Sequence, residues 1–300
     1  PRRIDEMTDR IRTGTGARWQ RALLFPALCL YGILTILSPA QAAEAPTAPA
    51  TPTVTYARLA DLVIASPAIA RVKIKSAVAL KPERAPDLGT GQTRFYVEAE
   101  TLGLIRGNSV VARKIGFLLD GSSANAKKPG LKGREMLIFG KVGAQVDQIQ
   151  LTASTALVDW TPANEALVRK VLADVMAPDV PPAIKGVTSA FHQVGAILGE
   201  SETQIFLETA SGAPISLSIL RRPDEKAHFS ASLGEIVDEA ASIPEPDTML
   251  WYRLACGLPE QLPARALREL AQADAQAAAG DYAAFRAALA PCRREATPVL

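Results

Sequence analysis

Few residue types in this chain are suited to chemistry, and their spacing narrows the choice further. The two histidines, His192 and His228, each fall in a segment of strand-like alternation. Joined across the fold to Glu200, Glu202 or Glu235, they would make a metal site or an acid–base pair. Neither has a second ligand at short metal spacing along the chain, so a satisfied or surface histidine is the plainer account, and no cofactor is expected. Glu235, Asp238 and Glu239 stand at i, i+3 and i+4, which puts three carboxylates on one helical face. Two of them are the pair a glycoside hydrolase uses. An acidic helix start, favoured by the macrodipole, explains the same residues without a reaction.

Lys127, Lys128 and Lys132 crowd one Gly- and Ser-rich stretch, 121–133, and make the best argument for an anionic partner. Single-strand nucleic-acid binders need aromatic platforms as well as charge. Aromatics are 5% of the chain, and only Phe95 and Tyr96 stand adjacent in a strand pattern, so a solvated basic loop fits better and no nucleic-acid partner is expected. Trp251 and Tyr252, with Arg221 and Arg222, would form a ligand surface if exposed, but Trp251 falls on the apolar face of a helix, where it packs as core. GxGxxG, Walker A, HExxH, CxxC and GxSxG patterns are absent from the sequence. That lowers nucleotide, zinc-protease, redox and α/β-hydrolase chemistry.

The address of the protein decides how its other residues are read. Arg18 and Arg21 precede the uncharged apolar run 22–37; Pro39 follows, and Ala40, Gln41 and Ala42 give a small-x-small cleavage pattern. This order reads as an export signal over 1–42, cut before Ala43 and delivering the protein to the periplasm. The alternative is an inner-membrane anchor through 22–37, although that run is short for a span and interrupted by Pro26.

Removing 1–42 leaves 258 residues with 27 basic and 28 acidic side chains, so the mature net charge is −1. A nucleic-acid footprint would need a basic surplus. Residues 43–177 carry +5 and residues 178–300 carry −6, which is either chance or an orienting field between the halves. Cys256 and Cys292 remain after cleavage, and an even pair outside any CxxC pattern in an oxidising compartment is read as one structural disulfide. Closing that 37-residue segment would stabilise the fold by about 3 to 4 kcal/mol.

The elements that position these residues follow from periodicity. Residues 43–54 alternate Pro with small residues and form a linker. Tyr56, Leu59, Ala60 and Val63 have helical spacing, ended by Ser66 and Pro67. Five strand patterns follow, from Ile69, around Phe95–Ala99, over 110–119, over 135–141 with its apolar MLIF core, and at Ile149–Leu151. Thr161 and Pro162 then open a helix. The prolines of 178–182 break the chain. Beyond them lie strand patterns over 183–194, 204–209, 215–219 and 228–233, and three helices starting near Asp247, Arg265 and Asp281.

The expected fold is α+β, with a small, mostly antiparallel OB-like barrel over 55–177 and flanking helices. A second β-meander domain, 183–300, is closed by a C-terminal helical bundle. The opening LADLVIASPAIARVKI and the strand GREMLIFG resemble secreted OB-like domains, with the loop 121–133 standing where those domains carry a helix. TQIFLETA, EIVDEAA, WYRLACGLP and ALAPCRR resemble a family of exported proteins from sphingomonad-type alphaproteobacteria. The resemblance implies export and is consistent with Cys256 pairing with Cys292; it implies no activity and no catalytic residue. The function expected is a non-enzymatic binding or envelope accessory protein, whose partner is an envelope protein or a glycan. The alternatives are an envelope hydrolase using carboxylates with His192 or His228, and an OB-type glycan or polyanion binder.

Overall fold

A computed structural model of the protein describes residues 53–107, 110–127, 129–234 and 241–294. The expected signal, nearly all of the linker, Lys128, and the acidic cluster Glu235, Asp238 and Glu239 lie outside the described residues. The described residues all fall in one compact unit.

Helix α1 (Tyr56–Ala65) starts where Thr55 accepts a hydrogen bond from the Arg58 N–H at 3.2 Å, the side-chain cap that threonine supplies. Tyr56, Leu59, Ala60 and Val63 are all buried, as their spacing requires. Strands β1 (Ala68–Ala79), β2 (Gln92–Arg106), β3 (Lys114–Ser122), β4 (Glu135–Val142) and β5 (Ile149–Leu151) follow in turn. They pair antiparallel in the order β3-β2-β1-β4-β5. The ends of that path meet: Gly116 N–H donates to the Asp147 carbonyl at 2.7 Å, Ala112 N–H donates to the Val146 carbonyl at 2.9 Å, and Gly116 bridges Gln148 in parallel sense. The five strands are therefore a closed barrel, which leaves no long edge to pair with a neighbour.

Strand β4 explains its own sequence. Met136 and Ile138 point into the barrel interior, while Leu137 and Phe139 join a second core outside it. A strand buried on both faces has to read as a continuous apolar run. A short strand, β6 (Leu157–Asp159), also pairs with β4 and carries too few residues for a period to show. The loop between β3 and β4, where the sequence lacks the usual helix, drops the fully buried Leu131 into the barrel core. Helix α2 (Pro162–Met176) is capped by Thr161, whose hydroxyl accepts from the Asn164 N–H at 3.0 Å.

Strands β7 (Ile184–Val194), β8 (Ser201–Thr209), β9 (Ile215–Arg221) and β10 (His228–Ser232) form a second antiparallel sheet in the order β10-β9-β8-β7. Val187, Ile205, Leu217 and Ile219 line its inner face, and they share one core with α1, α2 and the C-terminal helices. Helix α3 (Met249–Gly257) is capped by Thr248, not Asp247, because Asp247 takes a left-handed backbone, φ 59°.

The C-terminal helices differ from the expected three. A 3-10 turn at Ala264–Leu267 replaces the start of the second, and one helix, α4 (Gln272–Ala288), runs unbroken through Gly280 and Asp281. Asp281 is therefore a buried mid-helix residue and not a cap. Cys256 at the end of α3 and Cys292 beyond α4 are joined in a disulfide. Among the described residues no helix is long and apolar enough to cross a membrane.

Candidate functional site

A cleft of about 720 Å³ lies on the outside of the barrel between β2, β3, β5 and the segments 143–148 and 153–154. β2 and β3 present Arg94, Tyr96, Leu118 and Asp120 to it because alternate residues of a strand share a face, and Tyr96 pairs with Leu118 as Arg94 does with Asp120. Tyr96 is 43% exposed, and its ring lies so close over Gly116 that a Cβ there would overlap the tyrosine hydroxyl. Gln148 and Gln150 add amide donors and acceptors, and Ser154 a hydroxyl.

The two charged residues of the cleft, Arg94 and Asp120, are paired with each other. Arg94 donates to Asp120 at 2.7 and 2.9 Å and to Asp87 at 3.1 Å from each of two nitrogens. The hydrogen bond to Asp120, then that to Asp87, raises the guanidinium above its ordinary pKa, and Arg94 holds the Asp87 carboxyl below its own. The arginine is already paired and offers no free cationic anchor to an anion.

A second constellation lies between β7, β8, β9 and α4. The Thr203 hydroxyl donates to Asp281 Oδ2 at 2.5 Å and meets His192 Nδ1 at 2.8 Å. Arg221 Nε donates to Asp281 Oδ1 at 2.6 Å and its Nη2 approaches the same oxygen at 2.5 Å. The four side chains come from four elements and pin α4 to the sheet. His192, Glu200, Ser201, Arg221, Ala277 and Asp281 border a cleft of about 440 Å³ here.

Of the residues singled out from sequence, His192 and Glu200 thus come together. Glu202 does not join them, because it occupies the other face of β8, where it accepts from Gln204 Nε2 at 2.8 Å. His228 is exposed on β10, its Nε2 within 3.3 Å of the Ala241 carbonyl, and belongs to neither cleft. Lys127 and Lys132 are exposed and outside the barrel cleft. Trp251 is buried, its indole N–H donating to the Ala290 carbonyl at 2.9 Å. Among the described residues no group of three or more His, Cys, Asp or Glu could hold a metal ion.

Sequence reasoning misses Thr203 and reads Asp281 only as a helix start, although both carry a signal. Thr203 is in phase with the inward residues Ile205 and Leu207, and Asp281 stands on the apolar stripe of Ala278, Tyr282 and Phe285. A polar residue on a buried face requires a partner, and here the two polar residues partner each other. No protein-family model matches the chain, and no curated protein matches it.

Proposed function

We propose that the protein is exported and that its barrel is a non-enzymatic binding module for an uncharged, hydroxyl-rich ligand, of which an oligosaccharide is the natural class. The observation that carries this reading is the half-exposed Tyr96 ring lying flush on Gly116 in the barrel cleft, with Gln148, Gln150 and Ser154 around it. An aromatic face with amides and hydroxyls, and a cation already neutralised, suits a neutral sugar and offers little to a polyanion. The strand order, with Gly116 of β3 bridging Gln148 just before β5 in parallel sense, supports the OB-like reading, and OB barrels bind oligosaccharides or oligonucleotides on a sheet face and its loops. The mature charge of −1 argues for the former. The second sheet then shares the core of α1, α2 and the C-terminal helices beside the binding barrel.

The Cys256–Cys292 disulfide supports a periplasmic location, since such bonds persist in oxidising compartments. Mass spectrometry of the protein recovered from periplasm should give an N-terminus at Ala43; a retained 22–37 segment would favour the inner-membrane anchor instead.

Calorimetric titration with chitohexaose, maltohexaose and heparin tests the ligand class. Saturable binding of a neutral oligosaccharide that survives Lys127→Glu and Lys132→Glu is expected. Salt-dependent heparin binding abolished by those two substitutions would overturn the reading in favour of a polyanion binder.

A further inference from the structure

The Asp281, Thr203 and His192 side chains form a directed chain of hydrogen bonds. Asp281 is nearly fully buried and receives two Arg221 nitrogens on Oδ1, so as a carboxylate it can only accept on Oδ2. The Thr203 hydroxyl has one hydrogen, and its 2.5 Å contact places that hydrogen on Asp281. The contact between Thr203 and His192 Nδ1 at 2.8 Å is then satisfied only if Nδ1 carries a proton and donates. This puts a proton on Nδ1, and in the neutral imidazole the lone pair is then on Nε2.

His192 Nε2 has no hydrogen-bond partner among the described residues. No fully buried side-chain nitrogen or oxygen among the described residues lacks a partner, so Nε2 is not a fully buried orphan, although the side chain as a whole is only 6% exposed. His192 and Arg221 both border the cleft, and Arg221 Nη1 makes no hydrogen bond among the described residues. Ala277 and Gly280, the small residues of α4 beside Asp281, border the cleft and leave it open.

We propose that this cleft, independent of the barrel, is an acid–base site for hydrolysis of a small ester, with His192 as general base and Arg221 as the donor to the carbonyl oxygen. Thr203 and Asp281 are positioning residues. A water held by Nε2 attacks the carbonyl carbon as its proton passes to Nε2 and Arg221 stabilises the oxyanion. The acyl–oxygen bond breaks, the Nε2 proton goes to the departing alkoxide, and the products are an alcohol and a carboxylic acid that loses its proton to solvent. Atoms balance with water as the only co-reactant.

The test uses the full mature protein and two readouts. Long-range proton–nitrogen NMR of the imidazoles should show His192 with the proton on Nδ1, and Thr203→Val should release that preference while Thr203→Ser retains it. Hydrolysis of p-nitrophenyl acetate should fall on the order of 10²-fold in His192→Gln and about tenfold in Thr203→Val, with Thr203→Ser restoring the rate and the pH profile. Thermal melts of each variant separate loss of fold from loss of function. If His192→Gln fails to fold, carbethoxylation of His192 in the folded wild type should abolish the hydrolysis. A proton on Nε2, or hydrolysis unchanged when His192 is substituted or blocked, overturns the proposal.

Discussion

The Tyr96 ring crosses the α carbon of Gly116 on the neighbouring strand, so closely that a Cβ at 116 would overlap the tyrosine hydroxyl. The two residues are diagonal neighbours across β2 and β3, since Tyr96 pairs with Leu118 and Glu98 with Gly116. An aromatic ring folded over a strand glycine fills the gap the missing side chain leaves. Here it also sets the floor of the barrel cleft.

Gly116→Val should therefore lift the ring and weaken oligosaccharide binding by roughly tenfold, about 1.4 kcal/mol. Stability should change by no more than about 1 kcal/mol, the span of strand propensities. Calorimetry and thermal melts on the same samples check both halves of this expectation.

Removing the disulfide by Cys256→Ser with Cys292→Ser should cost about 3 to 4 kcal/mol in urea unfolding, the loop being closed across a sequence separation of 36. Reduced wild type should match the double variant. Equal stability of the oxidised and double-serine proteins would show that the bond constrains little in the unfolded chain.

Leu131→Ala should destabilise by about 3 kcal/mol, as loss of a fully buried leucine from a packed core does. The adjacent Lys132→Ala, on an exposed side chain, should stay within about 0.5 kcal/mol. Chemical denaturation of the pair measures whether the loop between β3 and β4 acts as the plug of the barrel.

The barrel was legible in the sequence because its elements announce themselves. Thr55 and Thr161 cap helices, β1 alternates, and MLIF marks a strand between two cores. The third strand starts later than its apolar pattern, at Lys114 instead of Val110. Ala112 and its neighbours were hard to place because their backbone pairs with the 146–148 segment outside the ladder. The C-terminal bundle misled for a different reason. Asp281 after Gly280 reads as a cap by residue type, yet the Arg221 and Thr203 contacts hold its carboxylate in the middle of a helix. Tertiary pairing outweighed local capping preference, and no local rule finds partners 78 and 60 residues away.

Alkaline conditions should weaken the fold through its buried phenols. Burial, then for Tyr252 the hydrogen bond to Asp61, pushes the Tyr252 hydroxyl up to about 12. Burial likewise takes Tyr282 to about 12. A folded pKa raised above the ordinary 10.0 contributes stability that is fully present below pH 10.0 and lost as pH rises through about 12. Urea unfolding across that window should show the decline, and Tyr282→Phe should make it shallower. A stability flat to pH 12 would contradict the burial of these hydroxyls.

Oligosaccharide affinity of Tyr96 variants, by calorimetry against chitohexaose and maltohexaose, tests the central claim most directly. The account predicts that wild type binds at least one of them, that Tyr96→Ala loses roughly tenfold or more in affinity, about 1.4 kcal/mol, and that Tyr96→Phe and Tyr96→Trp retain binding because the ring face is kept. Affinity indifferent to Tyr96→Ala, in a protein whose melt is unchanged, would place the ligand elsewhere and contradict it.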